Sequence, residues 1–150
     1  MNRMKMMKGN GMIALLAALM MVACTDPKKE KVDTLRAKAI EVHDEVMPRL
    51  GEIMSTSGQL KQLREQVVVD SLDSTGAARR VFTVQIADLE AAHEAMMAWM
   101  ADYDPSYEVN HPMDSAIAYY EGQIEAILTV KKAMEQSIED GKKLVDAKKK

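Results

Sequence analysis

The strongest constraint on the fold is a run of mostly apolar residues spaced three and four apart in the second half of the chain. These residues are Phe82, Ile86, Leu89, His93, Met96, Met100 and Tyr103. This spacing places side chains on one face of an α-helix, whereas a half-buried strand would alternate every second residue. The pattern predicts a helix from Ala77 to about Tyr103 with one face in a core.

Two other segments carry the same periodicity. The first would run from Pro27 or Asp33 to about Val69, and the last from near Asp114 toward Lys148. The first has a face of Ile40, His43, Met47, Leu50 and Met54, flanked by Ala39, Val46 and Ile53. The last has a face of Ile117, Tyr120, Ile124, Ile127, Lys131, Met134, Ile138, Gly141 and Val145, in which Lys131 and Gly141 interrupt the apolar pattern. Lys131 indicates either self-association or a long side chain that reaches solvent.

Helix-ending signals divide the chain. Asp26 and Pro27 are typical of an N-cap followed by proline at the first helical position. Pro48 predicts a kink, and Ser55–Gly58 is a candidate break. The segments Asp70–Gly76 and Asp104–Met113 are predicted connections. With no convincing strand pattern, we expect an all-α, coiled-coil-like, antiparallel three-helix bundle, or four helices if Ser55–Gly58 ends the first.

The amino terminus has the pattern of an export signal. Met1–Gly11 contains three basic residues and no acidic one, and Met12–Val22 is a run of 11 apolar residues. A spanning helix needs about 20 apolar residues, so this run is too short to span but suits a signal peptide. We therefore expect residues 1–23 to be cleaved.

The sequence Val22-Ala23-Cys24 that follows resembles the bacterial lipobox, although Met21 stands where leucine is usual. The resemblance implies that the Cys24 thiol takes a diacylglyceryl group, that cleavage occurs before Cys24, and that the new amino terminus is acylated. Two or more acyl chains hold a protein at a membrane. The expected organisation is a signal at 1–23, a lipid anchor with a short tether or the start of helix 1 at 24–32, and a bundle at 33–150. No other cofactor is expected.

Charge and sorting signals favour the cell envelope. Removal of residues 1–23 leaves 17 basic against 23 acidic residues, and an acidic exported chain is a poor nucleic-acid binder. By analogy with the enterobacterial sorting rule, Thr25 in place of Asp favours the outer membrane. The stretch TDPKKEK lacks an acidic cluster of the kind that directs surface export, which favours the periplasmic face.

Two stretches resemble a known group of proteins. The segments HDEVMPRLGEI (His43–Ile53) and DLEAAHEAMMAWMADY (Asp88–Tyr103) are similar to small Bacteroidota lipoproteins commonly labelled "viral A-type inclusion protein". That label reflects their helical, coiled-coil-like composition. The resemblance implies a helical lipid-anchored protein and supplies no catalytic residues.

Histidine and methionine are the candidates for metal chemistry. His43 and Met47 are four residues apart, as are His93 and Met97, and thioether and imidazole ligands suit copper(I). The alternative is that these residues fill the core. Pairing the first two helices places Met54 opposite His93 and the two histidines about 15 Å apart along the axis, too far for one ion. Glu90-x-x-His93 is half of a di-iron carboxylate motif that has no second copy. Because common catalytic motifs are also absent, we expect no enzyme.

Aromatic and basic residues suggest contact surfaces. Trp99, Tyr103 and Tyr107 cluster near the second connection and are candidates for a partner surface if Trp99 is exposed; otherwise Trp99 covers the rim of the core. The tail Lys142–Lys150 either offsets the helix dipole or contacts an anionic surface. It resembles the carboxyl end of murein lipoprotein, but the long uninterrupted helix of that protein is missing here.

The sequence therefore predicts a non-enzymatic structural or interaction protein, anchored through Cys24 and bound to an unknown envelope partner. The alternative is a periplasmic lipoprotein that binds copper(I) or a small ligand through His and Met side chains.

Overall fold

A computed structural model describes residues 26–70 and 76–148. Most of these residues are helical, and none of them forms a strand. The elements are α1 (Pro27–Val46), a 3-10 turn (Met47–Arg49), α2 (Leu50–Asp70), α3 (Ala77–Asp102), α4 (Tyr107–Asn110) and α5 (Met113–Ala147). We call α1, the 3-10 turn and α2 together arm 1. Arm 1, α3 and α5 form the predicted all-α three-helix bundle, and the single turn α4 lies in the second connection.

The start of α1 is the earlier of the two predicted starts. The Asp26 carboxylate accepts a hydrogen bond from the backbone N–H of Lys28 at 2.9 Å, and Pro27 occupies the first helical position. Val32 is fully buried with Ala116 and Tyr120. Residues 27–32 therefore belong to the bundle, and the proposed tether residues before Asp26 lie outside the described part of the chain.

Proline 48 interrupts arm 1 as expected. The α-helix ends at Val46, and Met47–Arg49 form one turn of 3-10 helix before α2 begins. Proline has no N–H to donate to the carbonyl four residues back, which explains why the regular ladder is lost here. The candidate break at Ser55–Gly58 does not occur, because α2 runs through it without interruption. A four-helix bundle is therefore excluded.

Small residues explain why α2 continues through Ser55–Gly58. Thr56 and Ser57 are buried, and a Cβ atom added to Gly141 of α5 would lie 2.6 Å from Thr56 Cγ2. The small side chains allow α2 and α5 to approach closely, so tertiary packing overrides weak helix propensity. Gly141, an apparent flaw in the apolar pattern, is the residue that makes this approach possible.

Ion pairs show that arm 1 and α5 run parallel. Lys28 pairs with Asp114, Glu45 with Lys131, and Arg49 with Glu135. The partners are 86 residues apart in all three pairs, so the two arms keep one register over most of their length. Lys131 thus reaches outward to a carboxylate, as the snorkelling alternative predicted.

The third arm, α3, runs antiparallel to the other two. Trp99 near its end donates to the carbonyl of Gln123 at 3.2 Å, and Gln85 near its start donates to the carbonyl of Ser137 at 3.0 Å. Because α3 ends beside residue 123 of α5, the first turns of α1 and α5 extend beyond it. The second connection, with α4, packs against this extension.

The predicted core face was correct for α5 and for the first half of α3, and was displaced in arm 1. In the second half of α3 it is displaced by one residue, since Ala92 and Trp99 are buried whereas His93 and Met100 are half-buried. Phe82, Ile86, Leu89 and Met96 are buried in α3, and Tyr120, Ile127, Met134, Ile138 and Val145 in α5. In arm 1, Ile40 is 37% and Met54 67% exposed, whereas Ala39, Val42, Val46 and Ile53 are buried. Arm 1 packs mainly on α5 along α1, which rotates its buried face by about one residue.

Candidate functional site

The proposed anchor, Cys24, lies outside the described residues. The first described residue, Asp26, caps α1, and the Lys28–Asp114 ion pair holds that helix start beside the start of α5. We call this the proximal end of the bundle. Among the described helices, none is long and apolar enough to cross a membrane.

An aromatic cluster occupies the proximal end. Its rings form a chain of contacts from the space between arm 1 and α3 to the second connection. Between ring centroids, His43 lies 5.6 Å from Trp99, Trp99 lies 4.7 Å from Tyr103, and Tyr103 lies 6.2 Å from Tyr120. The chain continues from Tyr120 to Tyr119 at 5.1 Å, to Tyr107 at 4.0 Å and to His111 at 3.7 Å. Aromatic contacts at these distances stabilise beyond their buried area. The cluster joins all three arms and α4.

Hydrogen bonds fasten the second connection to this cluster. The Asp104 N–H donates to the Tyr119 hydroxyl at 2.6 Å, and that hydroxyl lies 3.2 Å from the Asp102 carbonyl. The Tyr120 hydroxyl lies 2.7 Å from a Glu108 carboxylate oxygen and 3.2 Å from the Asp104 carbonyl. The connection is therefore held by side-chain hydrogen bonds rather than by regular secondary structure.

A charged pair completes this network. The Arg36 guanidinium binds Glu108 and also contacts Asp33 at 2.6 Å. The hydrogen bond from Tyr120, together with Arg36, lowers the pKa of Glu108 below its usual value. Burial, followed by the nearby Glu108 carboxylate, raises the pKa of Tyr120 well above 10, and burial raises the pKa of Tyr103 to about 12. Both hydroxyls are held protonated, so neither is arranged as a base at neutral pH.

Trp99 is buried, so it does not meet the condition that was set for a partner surface. Trp99 is 6% exposed and its indole N–H is satisfied by Gln123, so Trp99 covers the rim of the core, as in the alternative reading. Tyr103 and Tyr107 are half-buried against the same cluster. The sequence did not single out Arg36 and Glu108, because they are 72 residues apart and no local spacing relates them.

The two candidate histidines are in different environments. His43 stacks on Trp99 and contacts the Asp44 carboxylate at 2.9 Å, with Met47 half-buried one turn along. His93 is half-buried on the side of α3 that faces α2, and Met97 is 47% exposed. In the described part of the chain, no group of three or more His, Cys, Asp or Glu side chains could hold a metal ion. The pairs His43/Met47 and His93/Met97 therefore remain two-residue candidates.

A groove between α2 and α3 contains the predicted pairing of Met54 with His93. This groove, of about 330 Å³, is lined by Ile53, Met54, Ser57, Gly58, Lys61, Glu90, His93 and Glu94. Lys61 and Glu90 pair across it at 2.8 Å. Glu90 is thus engaged by a lysine, which does not suit the role of the first ligand in the half di-iron motif.

Comparisons with known proteins identify no relative. No known protein family, no curated protein and no solved structure matches this chain. The resemblance to the Bacteroidota lipoproteins therefore stays a prediction from the sequence.

Proposed function

We propose that this chain is a non-enzymatic lipoprotein of the bacterial cell envelope, anchored through Cys24, whose helical bundle serves a structural or interaction role. The observation that carries the proposal is the position of Cys24, the lone cysteine of the chain, directly after the apolar run Met12–Val22. Attachment to the outer membrane, on its periplasmic face, and binding to an envelope protein belong to this proposal.

The start of the bundle supports anchoring at this position. Cys24 precedes the helix cap Asp26 by two residues, and two residues span at most about 7 Å. A lipid on Cys24 would therefore hold the proximal end next to the bilayer. Because α5 has 35 residues, the bundle would extend about 50 Å from that point.

Metabolic labelling tests the anchor. Cells that express the full chain are grown with a clickable palmitate analogue, and the product is examined by mass spectrometry. We expect a label on the native chain, an amino terminus at Cys24, and no label on Cys24→Ser. Thr25→Ser serves as the control, because it lies beside the cysteine and leaves the thiol in place.

Membrane fractionation tests the location. We expect the native chain to sediment with outer-membrane fractions, and to resist protease in intact cells if it faces the periplasm. An unlabelled native chain that is released as a soluble protein would overturn the anchoring proposal. Digestion by protease in intact cells would instead place the chain on the cell surface.

The alternative function is binding of copper(I) or a small ligand, and one observation favours it: Met54 and His93 line the same groove. A thioether and an imidazole are a ligand pair suited to copper(I). Titration of copper(I) against a chromogenic chelator tests this alternative. His93→Ala should weaken binding at least tenfold, whereas unchanged affinity in both His93→Ala and His43→Ala would eliminate it.

A further inference from the structure

A small apolar cluster at the proximal end is less enclosed than the main core. Its fully buried members are Val32, Ala116 and Tyr120. The apolar side chains packed around them keep part of their surface exposed: Leu35, Tyr103, Tyr107, Met113, Ile117 and Tyr119. In the main core, by contrast, the fully buried residues outnumber the partly buried ones. We call the small cluster the proximal apolar cluster, and most of it forms a rim.

The single turn α4 adds apolar surface on its outer side. Tyr107 packs on the proximal apolar cluster and stacks on His111 at 3.7 Å, whereas Val109, in the same turn, is 74% exposed. No other large apolar side chain in the described part of the chain is as exposed as Val109. One exposed valine is common on protein surfaces, but this one lies on a turn whose inner side is also apolar. Such a turn is suited to contact with apolar material outside the protein.

This surface lies near the position of the proposed lipid. Tyr107 belongs to the same cluster as Val32, which follows the helix cap Asp26 by six residues, or about 9 Å along α1. Cys24 precedes Asp26 by two residues, which span at most about 7 Å. The headgroup layer of a bilayer is itself about 5–8 Å thick. A bilayer that holds an acyl chain on Cys24 would therefore reach α4 when the bundle leans toward the second connection.

The charges of the proximal end indicate the kind of contact. Its cations are engaged by carboxylates: Lys28 by Asp114, Lys31 by Glu121 and Arg36 by Glu108. Contact with a bilayer would therefore be driven by burial of apolar and aromatic side chains rather than by attraction to lipid phosphates. Tyrosine is typical of bilayer interfaces, because its ring is apolar and its hydroxyl is polar.

We propose that α4 and the rim of the proximal apolar cluster lie against the bilayer surface, with Val109 in the headgroup layer of zwitterionic lipid. The proposal rests on the proposed anchor at Cys24, which supplies the nearby bilayer. An acyl anchor fixes only one point of the protein. A second contact at α4 would fix the direction in which the bundle, about 50 Å long, leaves the membrane. It would thereby determine which face of the bundle a partner meets.

A fluorescent dye at position 109 tests this contact. The full lipidated Val109→Cys chain has one free thiol, because a lipid occupies the Cys24 thiol, and that free thiol is labelled with an environment-sensitive dye. The protein is reconstituted in phosphatidylcholine–phosphatidylethanolamine vesicles with or without a nitroxide on the lipid headgroup. We expect about a twofold rise in emission on reconstitution and quenching by the nitroxide. Both effects should persist in high salt, since they do not depend on exposed charges.

Leu128→Cys provides the matched control. Leu128 is also an exposed apolar residue, at 46%, but it lies on α5 fourteen residues after Asp114, or about 21 Å along the helix. A dye at position 128 should show neither the rise in emission nor the quenching. Equal quenching at positions 109 and 128 would indicate a bundle that lies flat on the bilayer and would overturn the proposal.

The remaining outcomes separate this contact from the anchor. If the labelled chain floats with the vesicles while the dye at position 109 stays in water, the contact is overturned and the anchor stands. A native chain that carries no lipid and does not float would overturn both proposals. A rise in emission from Cys24→Ser/Val109→Cys without vesicles, growing with protein concentration, would assign the surface to a second copy of the chain and overturn the contact with lipid.

Discussion

The two ends of the bundle are stabilised by different kinds of side chain. The proximal end contains an aromatic cluster, the Arg36–Glu108 pair and hydrogen-bonded tyrosines, so its second connection is held from several sides. In the half of the bundle away from the proximal end, which we call the distal half, Thr56, Ser57 and Gly141 bring α2 and α5 together. The comparison shows that one bundle can be stabilised by large interlocking side chains at one end and by close backbone approach at the other.

This difference has a physical consequence. Aromatic packing can tolerate small rearrangements, whereas a helix contact through glycine is limited by steric overlap. Conversely, removal of one large ring from the proximal end leaves a cavity. The contact between α2 and α5 at Gly141 contains no large ring.

Trp99→Ala should be the most destabilising of the substitutions. The indole is buried among three arms, and its loss removes aromatic contacts with His43 and Tyr103 and leaves a cavity. We expect the free energy of unfolding to fall by about 3–5 kcal/mol. Urea unfolding followed by circular dichroism measures the change. Met97→Ala, on the same helix but exposed, should cost less than about 1 kcal/mol; equal losses would contradict the role of Trp99.

Gly141→Ala tests the close approach of α2 and α5 in the distal half. The added methyl group would meet Thr56 Cγ2 at 2.6 Å, so we expect a loss of about 1–3 kcal/mol despite the better helix propensity of alanine. Thr56→Ser removes that methyl partner and should restore part of the loss in the double variant. Gly122→Ala, at a position with open space, should be neutral or stabilising. Thermal unfolding of the four proteins would reveal whether steric overlap controls this contact.

Tyr120→Phe tests the hydrogen-bonded network of the proximal end. Loss of the hydroxyl leaves Glu108 and the Asp104 carbonyl with one partner fewer, and we expect a cost of about 1–2 kcal/mol at neutral pH. The result should also depend on pH. Because folding raises the pKa of Tyr120 above 10, the stability it contributes is present below pH 10 and is lost as the pH rises toward the folded value.

The alkaline loss should therefore be smaller in Tyr120→Phe than in the native chain, when unfolding at pH 9 and pH 11 is compared. At acid pH, stability is instead lost as the pH falls. Folding lowers the pKa of Glu108, so its contribution is present above about pH 4.5 and is lost as the pH falls through the folded value. An identical alkaline loss in both proteins would contradict the assignment to Tyr120.

Glu45→Gln should have the smallest effect. The carboxylate pairs with Lys131 at the surface, which lowers the pKa of Glu45, and exposed pairs contribute little to stability. We expect a slight decrease in the melting temperature that disappears in 1 M NaCl, where such charges are screened. A decrease that persists in high salt would indicate that the pair does more than maintain the register of arm 1 and α5.

Much of the fold could be predicted from local pattern. α3 has neighbours on one side, so the face with Phe82, Leu89 and Met96 is also the buried face. The buried face of arm 1 was harder to predict, because the orientation of arm 1 depends on how α1 packs on α5. For this reason Ile40 and Met54 were wrongly placed on the buried face. Whether Ser55–Gly58 ends a helix stayed open at the level of the sequence, because helix propensity does not account for a packing partner such as Gly141.

The candidate sites were less predictable than the fold. Arg36 and Glu108 have no sequence pattern that links them, and only the fold of the second connection brings them together with Tyr120. Counting residues along two antiparallel helices correctly placed Met54 and His93 at the same level, since both line the groove between α2 and α3.

By itself, the sequence determined the helical class and the interruption at Pro48, because these follow from interactions within a few residues. The tertiary structure decided between three and four helices and between the two possible starts of the first helix. The tertiary structure decided which face of arm 1 is buried, that Trp99 is covered, and which charges share an end. Those outcomes depend on contacts between residues tens of positions apart. Local periodicity specifies the direction of a side chain relative to its own helix, and the neighbouring helices decide what that side chain meets.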